Sequence, residues 1–186
     1  MDRGPASAEL ASRFPTRRLY QFVQRSEPGD ALLRPSYIVE PLRVVTAPTV
    51  RLHFATKNPG HWRVVSVAVV VDGHALATQT LSRNSRRGAT ASFDVVIGAP
   101  TAELPSPATG TLVARVAHDG QVAVDVAFGP HDRGDRRADV YSRRYFVAAH
   151  PDTLAVQLPG LQYHRFDFGK TLWIRENVDA TLTERR

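Results

Sequence analysis

"HWRVVSVAVVVDGHALATQTLS", His61 to Ser82, is the stretch on which the fold turns. Val64 to Val71 is an almost unbroken apolar run of strand length. Asp72-Gly73 follows it, and a second run opens after His74. An Asp-Gly pair between two such runs is the chemistry of a two-residue type I′ turn, whose two central residues both need positive φ. The segment therefore reads as a β-hairpin with Val69 opposite Leu76. Its first strand is apolar on both sides. Trp62, Val64, Ser66, Ala68 and Val70 make one face, and Val65, Val67, Val69 and Val71 make the other. A strand wet on one side alternates cleanly. This one calls for cover on both sides, by an opposing sheet and by either the N-terminal leader or a second subunit. A homo-oligomer is expected on that ground.

The same pattern extends outward from the hairpin. From Tyr37 onward, Val, Ile, Thr and aromatic residues recur in short runs bounded by turn residues. Strands are predicted near 37–45, 49–56, 62–71, 74–82, 89–97, 110–117, 121–128, 140–149, 152–158 and 166–175. "VAHDGQVAV" (Val116 to Val124) repeats the Asp-Gly signal, so a second hairpin is expected with Val113 opposite Val126. "QVAVDVAF" puts Val122, Val124, Val126 and Phe128 on one face and Gln121 and Asp125 on the other. The Pro-rich "GAPTAELPSPATG" (Gly98 to Gly110) reads as a long connection crossing from one sheet to another. The expected fold is an all-β antiparallel β-sandwich over 36–186, jelly-roll-like or Ig-like.

Residues 1–35 form a polar N-terminal arm. Within it, "TRRLYQFVQR" sets Leu19, Phe22 and Val23 at helical spacing behind Thr16, which predicts a short helix over about 16–26. The same residues also alternate weakly, as Leu19, Gln21 and Val23, so an extended arm is the other outcome.

Composition narrows the chemistry. A hydrophobic fraction of 42% in 186 residues suits a folded core. The chain has no cysteine, which removes disulfides, thiolate metal sites and a catalytic thiol. No window resembles a signal-peptide core or a membrane span, so a soluble, intracellular protein without membrane insertion is expected, in a virion or host cytoplasm if it is viral. The net charge is +6, and 22 arginines stand against two lysines, Lys57 and Lys170. Arginine forks suit phosphate, although a GC-rich coding sequence also writes arginine freely.

Motifs for catalysis are missing. The seven histidines include no pair at His-x-His or His-x₃-His spacing, and there is no HExxH, no G-x-S-x-G, no S-x-x-K and no phosphate-cradling glycine loop. No metal, cofactor or catalytic residue is assigned. Two basic clusters remain. "SRNSRRG" carries Arg83, Arg86 and Arg87 without an acid. "GPHDRGDRRADVYSRRYF" (Gly129 to Phe146) carries Arg133, Arg136, Arg137, Arg143 and Arg144, with Tyr141 and Tyr145 interleaved. Arginine planes beside tyrosine rings can stack bases and neutralise phosphates. Against this, Asp132, Asp135 and Asp139 cancel three of the five charges, as in an ordinary solvated loop. The tripeptide Arg133-Gly134-Asp135 is an adhesion motif when displayed at a turn tip, but a chain this rich in arginine also produces it by chance.

The expected role is non-enzymatic. It is that of a self-associating structural or interaction protein meeting RNA, DNA or another polyanion through arginine loops. Viral coat and movement proteins share this general character, but the leader, with six arginines against four acids, is less basic than a packaging arm. Two alternatives stand beside it: an Ig- or fibronectin-like module binding a protein partner, and a small enzyme with an interior His/Asp pocket.

Overall fold

The structure, a computed structural model, describes residues 19–25, 36–130, 138–167, 171–175 and 182–185. Among them, thirteen strands form and no helix does. In chain order these are β1 (Leu19–Arg25), β2 (Ser36–Ala47), β3 (Thr49–Lys57), β4 (Val64–Val71), β5 (His74–Ser82), β6 (Thr90–Gly98) and β7 (Thr111–Arg115). There follow β8 (Gly120–Gly129), β9 (Asp139–Ala149), β10 (Leu154–Leu158), β11 (Leu161–Asp167), β12 (Thr171–Arg175) and β13 (Leu182–Arg185). The fold is a β-sandwich. The larger sheet runs β1-β2-β10-β9-β8-β4-β5, with β11 on β9 and β12 on β11. The smaller runs β13-β3-β6-β7.

The β4–β5 hairpin forms as its Asp-Gly turn dictates, with φ at +46° for Asp72 and +86° for Gly73. Its register is not regular, however. Val70 faces Ala75 and Val69 faces Ala77, so an extra residue enters at Leu76, which points to solvent. Such a bulge tightens the twist of the pair. Both faces of β4 are buried within one chain. Val65, Val67, Val69 and Val71 meet the smaller sheet, and Val64, Ser66 and Ala68 on the opposite side are buried as well. No second copy is needed for that burial.

The second Asp-Gly does not make a hairpin. β7 runs parallel to β6 in the smaller sheet, from Asp94↔Thr111 to Gly98↔Arg115, whereas β8 lies in the larger sheet between β4 and β9. Asp119 and Gly120 lack the positive φ that a type I′ turn demands. Instead Asp119 Oδ1 accepts a hydrogen bond from Ala149 N at 2.8 Å, and Asp72 Oδ1 accepts one from Gln121 N at 3.1 Å. These bonds pin the corner where the chain changes sheet. The Pro-rich segment after β6 is thus the long return that a parallel neighbour needs, not the crossing itself. Gln79 clamps that return, donating to Ala108 O and accepting from Gly110 N.

Of the two outcomes expected for the arm, helix over about 16–26 or extended chain, the described residues take the extended one. Residues 19–25 are strand β1, paired antiparallel with Ser36 to Leu42 of β2. β2 is twelve residues long, and only Arg43 to Ala47 find a partner in β10. Its first half offers an open ladder, and the weak alternation at Leu19, Gln21 and Val23 is enough to fill it. The expected strand 166–175 is two strands, β11 and β12, paired with each other. The rest of the arm, 1–18 and 26–35, lies outside the described residues.

The core lies between the sheets. Phe54 of β3 stacks on Phe93 of β6 with centroids 5.2 Å apart, and Val122, Val124, Val126 and Phe128 are fully buried, as their alternation requires. Tyr141 and Tyr145 are part of this core, Tyr141 standing edge-on to Phe128. They are therefore not available to stack on bases, as the sequence had suggested. Among the described residues no helix is long and apolar enough to cross a membrane.

Candidate anion-binding rim

Antiparallel pairing decides which chain ends share one end of the sandwich. Val64, the first residue of β4, lies beside Gly129, the last of β8. Lys57, the last of β3, lies beside Thr90, the first of β6, and Val65 lies beside Ser82 at the end of β5. Two connections, 58–63 and 83–89, therefore meet here, and the segment 130–138 begins and ends at the same end. The first carries Arg63, the second Arg83, Arg86 and Arg87, and the segment Arg133, Arg136 and Arg137. The third group lies outside the described residues, as does Arg133-Gly134-Asp135. Its attachment points, Pro130 and Ala138, belong to this end.

The 83–89 connection is stapled to the 58–63 connection by Asn58, which is 99% buried in relative terms (1% exposed). Asn58 Nδ2 donates to Trp62 O at 2.6 Å and to Ser85 Oγ at 2.9 Å, and its Oδ1 accepts from Gly60 N at 3.1 Å. The backbone adds Asn58 N to Ala89 O, Gly88 N to Asn58 O and Ser85 N to Arg63 O, all 2.7–2.9 Å. Gly88, at φ +79°, makes the reversal that these bonds close. On this fixed backbone Lys57, Arg63, Arg83, Arg86 and Arg87 are all exposed.

A cavity of about 680 Å³ opens beside Arg63, lined by Gly60, His61, Trp62, Arg63, Pro130 and Asp139. The half-buried Trp62 donates from Nε1 to Asp139 Oδ2 at 2.9 Å, tying the start of β4 to the start of β9. Gly60 lets the backbone pass close to the indole: a Cβ there would stand 3.3 Å from Trp62 Nε1.

Arg143 and Arg144 are not brought to the rim. They sit within β9, about 13 Å or more along the strand from Asp139 at ~3.3 Å per residue. Arg143 Nη1 donates to Gly160 O at 3.2 Å, and the Arg144 guanidinium lies 4.3 Å from the centroid of the Tyr163 ring. Sequence reasoning missed Lys57, Arg63, Trp62 and Asp139 as neighbours. Trp62 and Asp139 are 77 residues apart, and nothing local to either announces the other.

The described histidines do not converge. His53 Nδ1 lies 2.6 Å from Asp94 Oδ1, with Arg51 at 3.9 Å from the other oxygen, on the outer face of the smaller sheet. Among the described residues no three His, Asp or Glu side chains gather as metal ligands. Ser142 is fully buried in β9. No family model, no curated protein and no solved structure matches this chain.

Proposed function

We propose that the protein is a non-enzymatic binding protein whose arginine rim holds an anionic polymer, nucleic acid foremost. The observation that carries this is the stapled scaffold under Lys57, Arg63, Arg83, Arg86 and Arg87. Long charged side chains on a mobile loop lose entropy when they bind. Here the backbone beneath them is already fixed by buried hydrogen bonds, so more of the electrostatic attraction is retained. Arg133, Arg136 and Arg137 lie outside the described residues, in the segment between Pro130 and Ala138 that also holds Asp132 and Asp135. Arg143 and Arg144 contribute to the sheet instead, through Gly160 and Tyr163.

A second element supports self-association. The β1–β2 ribbon is two-stranded along Ser36 to Leu42 and leaves Tyr20 and Val39, 48% and 51% exposed, near each other on one face. An isolated two-stranded ribbon is marginal in water, and a strand edge of this kind is a common site of pairing with another chain.

Retention of single-stranded RNA on the purified protein, followed through a salt series, tests the rim. With about four phosphates neutralised, affinity falls roughly 50-fold between about 50 and about 200 mM salt. Arg86→Glu with Arg87→Glu weakens binding most and flattens the salt slope. Retention untouched by salt and by the double reversal removes the proposal. Light-scattering mass over the same series reads the oligomer.

A further inference from the structure

The arginines of the rim attract any polyanion; the cavity beside Arg63 selects. We propose that the cavity bounded by Gly60, Trp62, Arg63, Pro130 and Asp139 takes an unpaired nucleobase bearing an exocyclic amine, which makes the bound polymer single-stranded. This rests on the polyanion-binding function proposed above and deepens it.

Four features converge on that ligand. The space, about 680 Å³, falls in the range of small-molecule sites and is ample for one base. One wall is an indole held in place by its own N–H bond to Asp139 and by the close passage of Gly60, so little motion is lost when a ring stacks on it. The Pro130 ring supplies a second apolar surface.

Besides Arg63, two polar side chains line the cavity, the exposed imidazole of His61 and the carboxylate of Asp139. Asp139 Oδ2 accepts from the Trp62 N–H, and a carboxylate has further lone pairs with which to accept. A carboxylate repels phosphate and sulfate, but it accepts from the amine of cytosine, adenine or guanine. The charges are thus sorted. An acceptor for a base edge lines the cavity, and cations for the backbone stand on the connections at the same end of the sandwich. Arg63 belongs to both, lining the cavity and reaching the exposed rim. Duplex bases keep their edges and faces inside the stack, so a duplex cannot insert one without unpairing it. A sulfated glycan matches the rim but brings its anions against Asp139.

The test is fluorescence anisotropy of the full chain with three end-labelled strands of equal length: oligo(dC), oligo(dT) and an abasic strand of the same charge. Oligo(dC) is expected to bind about tenfold or more tighter than the abasic strand, with oligo(dT) between them. Asp139→Asn keeps an oxygen for the Trp62 N–H. It is expected to bring dC and dT within about twofold of each other and to leave the abasic strand unchanged. Equal binding of oligo(dC) and the abasic strand overturns the base pocket while the electrostatic rim stands. No binding by any strand overturns the polyanion function itself. A dC preference that survives Asp139→Asn, or heparin binding tighter than oligo(dC), also overturns the assignment. The wild-type comparison decides the matter even if the variant does not fold.

Discussion

Gly160 is held to glycine by its surroundings rather than by its backbone. A Cβ there would stand 2.6 Å from Tyr145 Cε1 and 2.8 Å from Cζ, and Tyr145 is fully buried, with no room to retreat. The position marks where β10 ends and β11 begins, the two strands lying end to end along one edge of β9. Gly160→Ala is therefore expected to cost about 1–3 kcal/mol by overpacking, read as a lower urea midpoint with unchanged slope. Unaltered stability would mean that the ring moves freely. Sequence pattern carried no trace of this contact, which depends on a chain path fifteen residues away. Trp62 is a similar case. Its place on an apolar strand face was legible, but its indole N–H partner was not, because Asp139 reads as one more charge in an arginine-rich loop.

Elements were legible where local chemistry decides them, and were misread where a neighbour competes. Asp72-Gly73 makes its turn because both residues adopt positive φ and both flanking strands are free to pair. Asp119-Gly120 has the same letters, yet β6 already holds β7, and β8 is claimed on both edges by β4 and β9. The aspartate then serves as a corner anchor. Likewise Leu19, Phe22 and Val23 fit a helix, but the open half of β2 draws them into a strand. The arginine loop at 83–89 is the element on which function depends, and its shape rests on Asn58. Asn58→Ala strips Trp62 O and Ser85 Oγ of their donor. It is expected to lower stability by about 1–3 kcal/mol and to make the 83–89 loop a preferred site of proteolytic nicking. RNA affinity should fall with it, although no charge has changed. An unchanged affinity would show that the scaffold beneath the arginines is irrelevant.

At the scale of the molecule, layered sheets were predictable from Val64 to Val71 and from the alternation after Gln121. Which loops share an end was not, since that follows from strand order. The order β9-β8-β4-β5 brings the start of β4 beside the end of β8 and so gathers Arg63, the 83–89 arginines and the root of the 130–138 loop. Burial of both faces of β4 inside one chain also moves the case for self-association from that strand to the β1–β2 ribbon. The central claim is that this one end is where an anionic polymer binds. Amide hydrogen exchange, measured with and without a single-stranded oligonucleotide at low salt, addresses it directly. Added protection is expected at 57–63 and 83–89 and nowhere along β3 near His53. Protection centred instead on the Arg51, His53 and Asp94 face of the smaller sheet, or no protection at all, would contradict it.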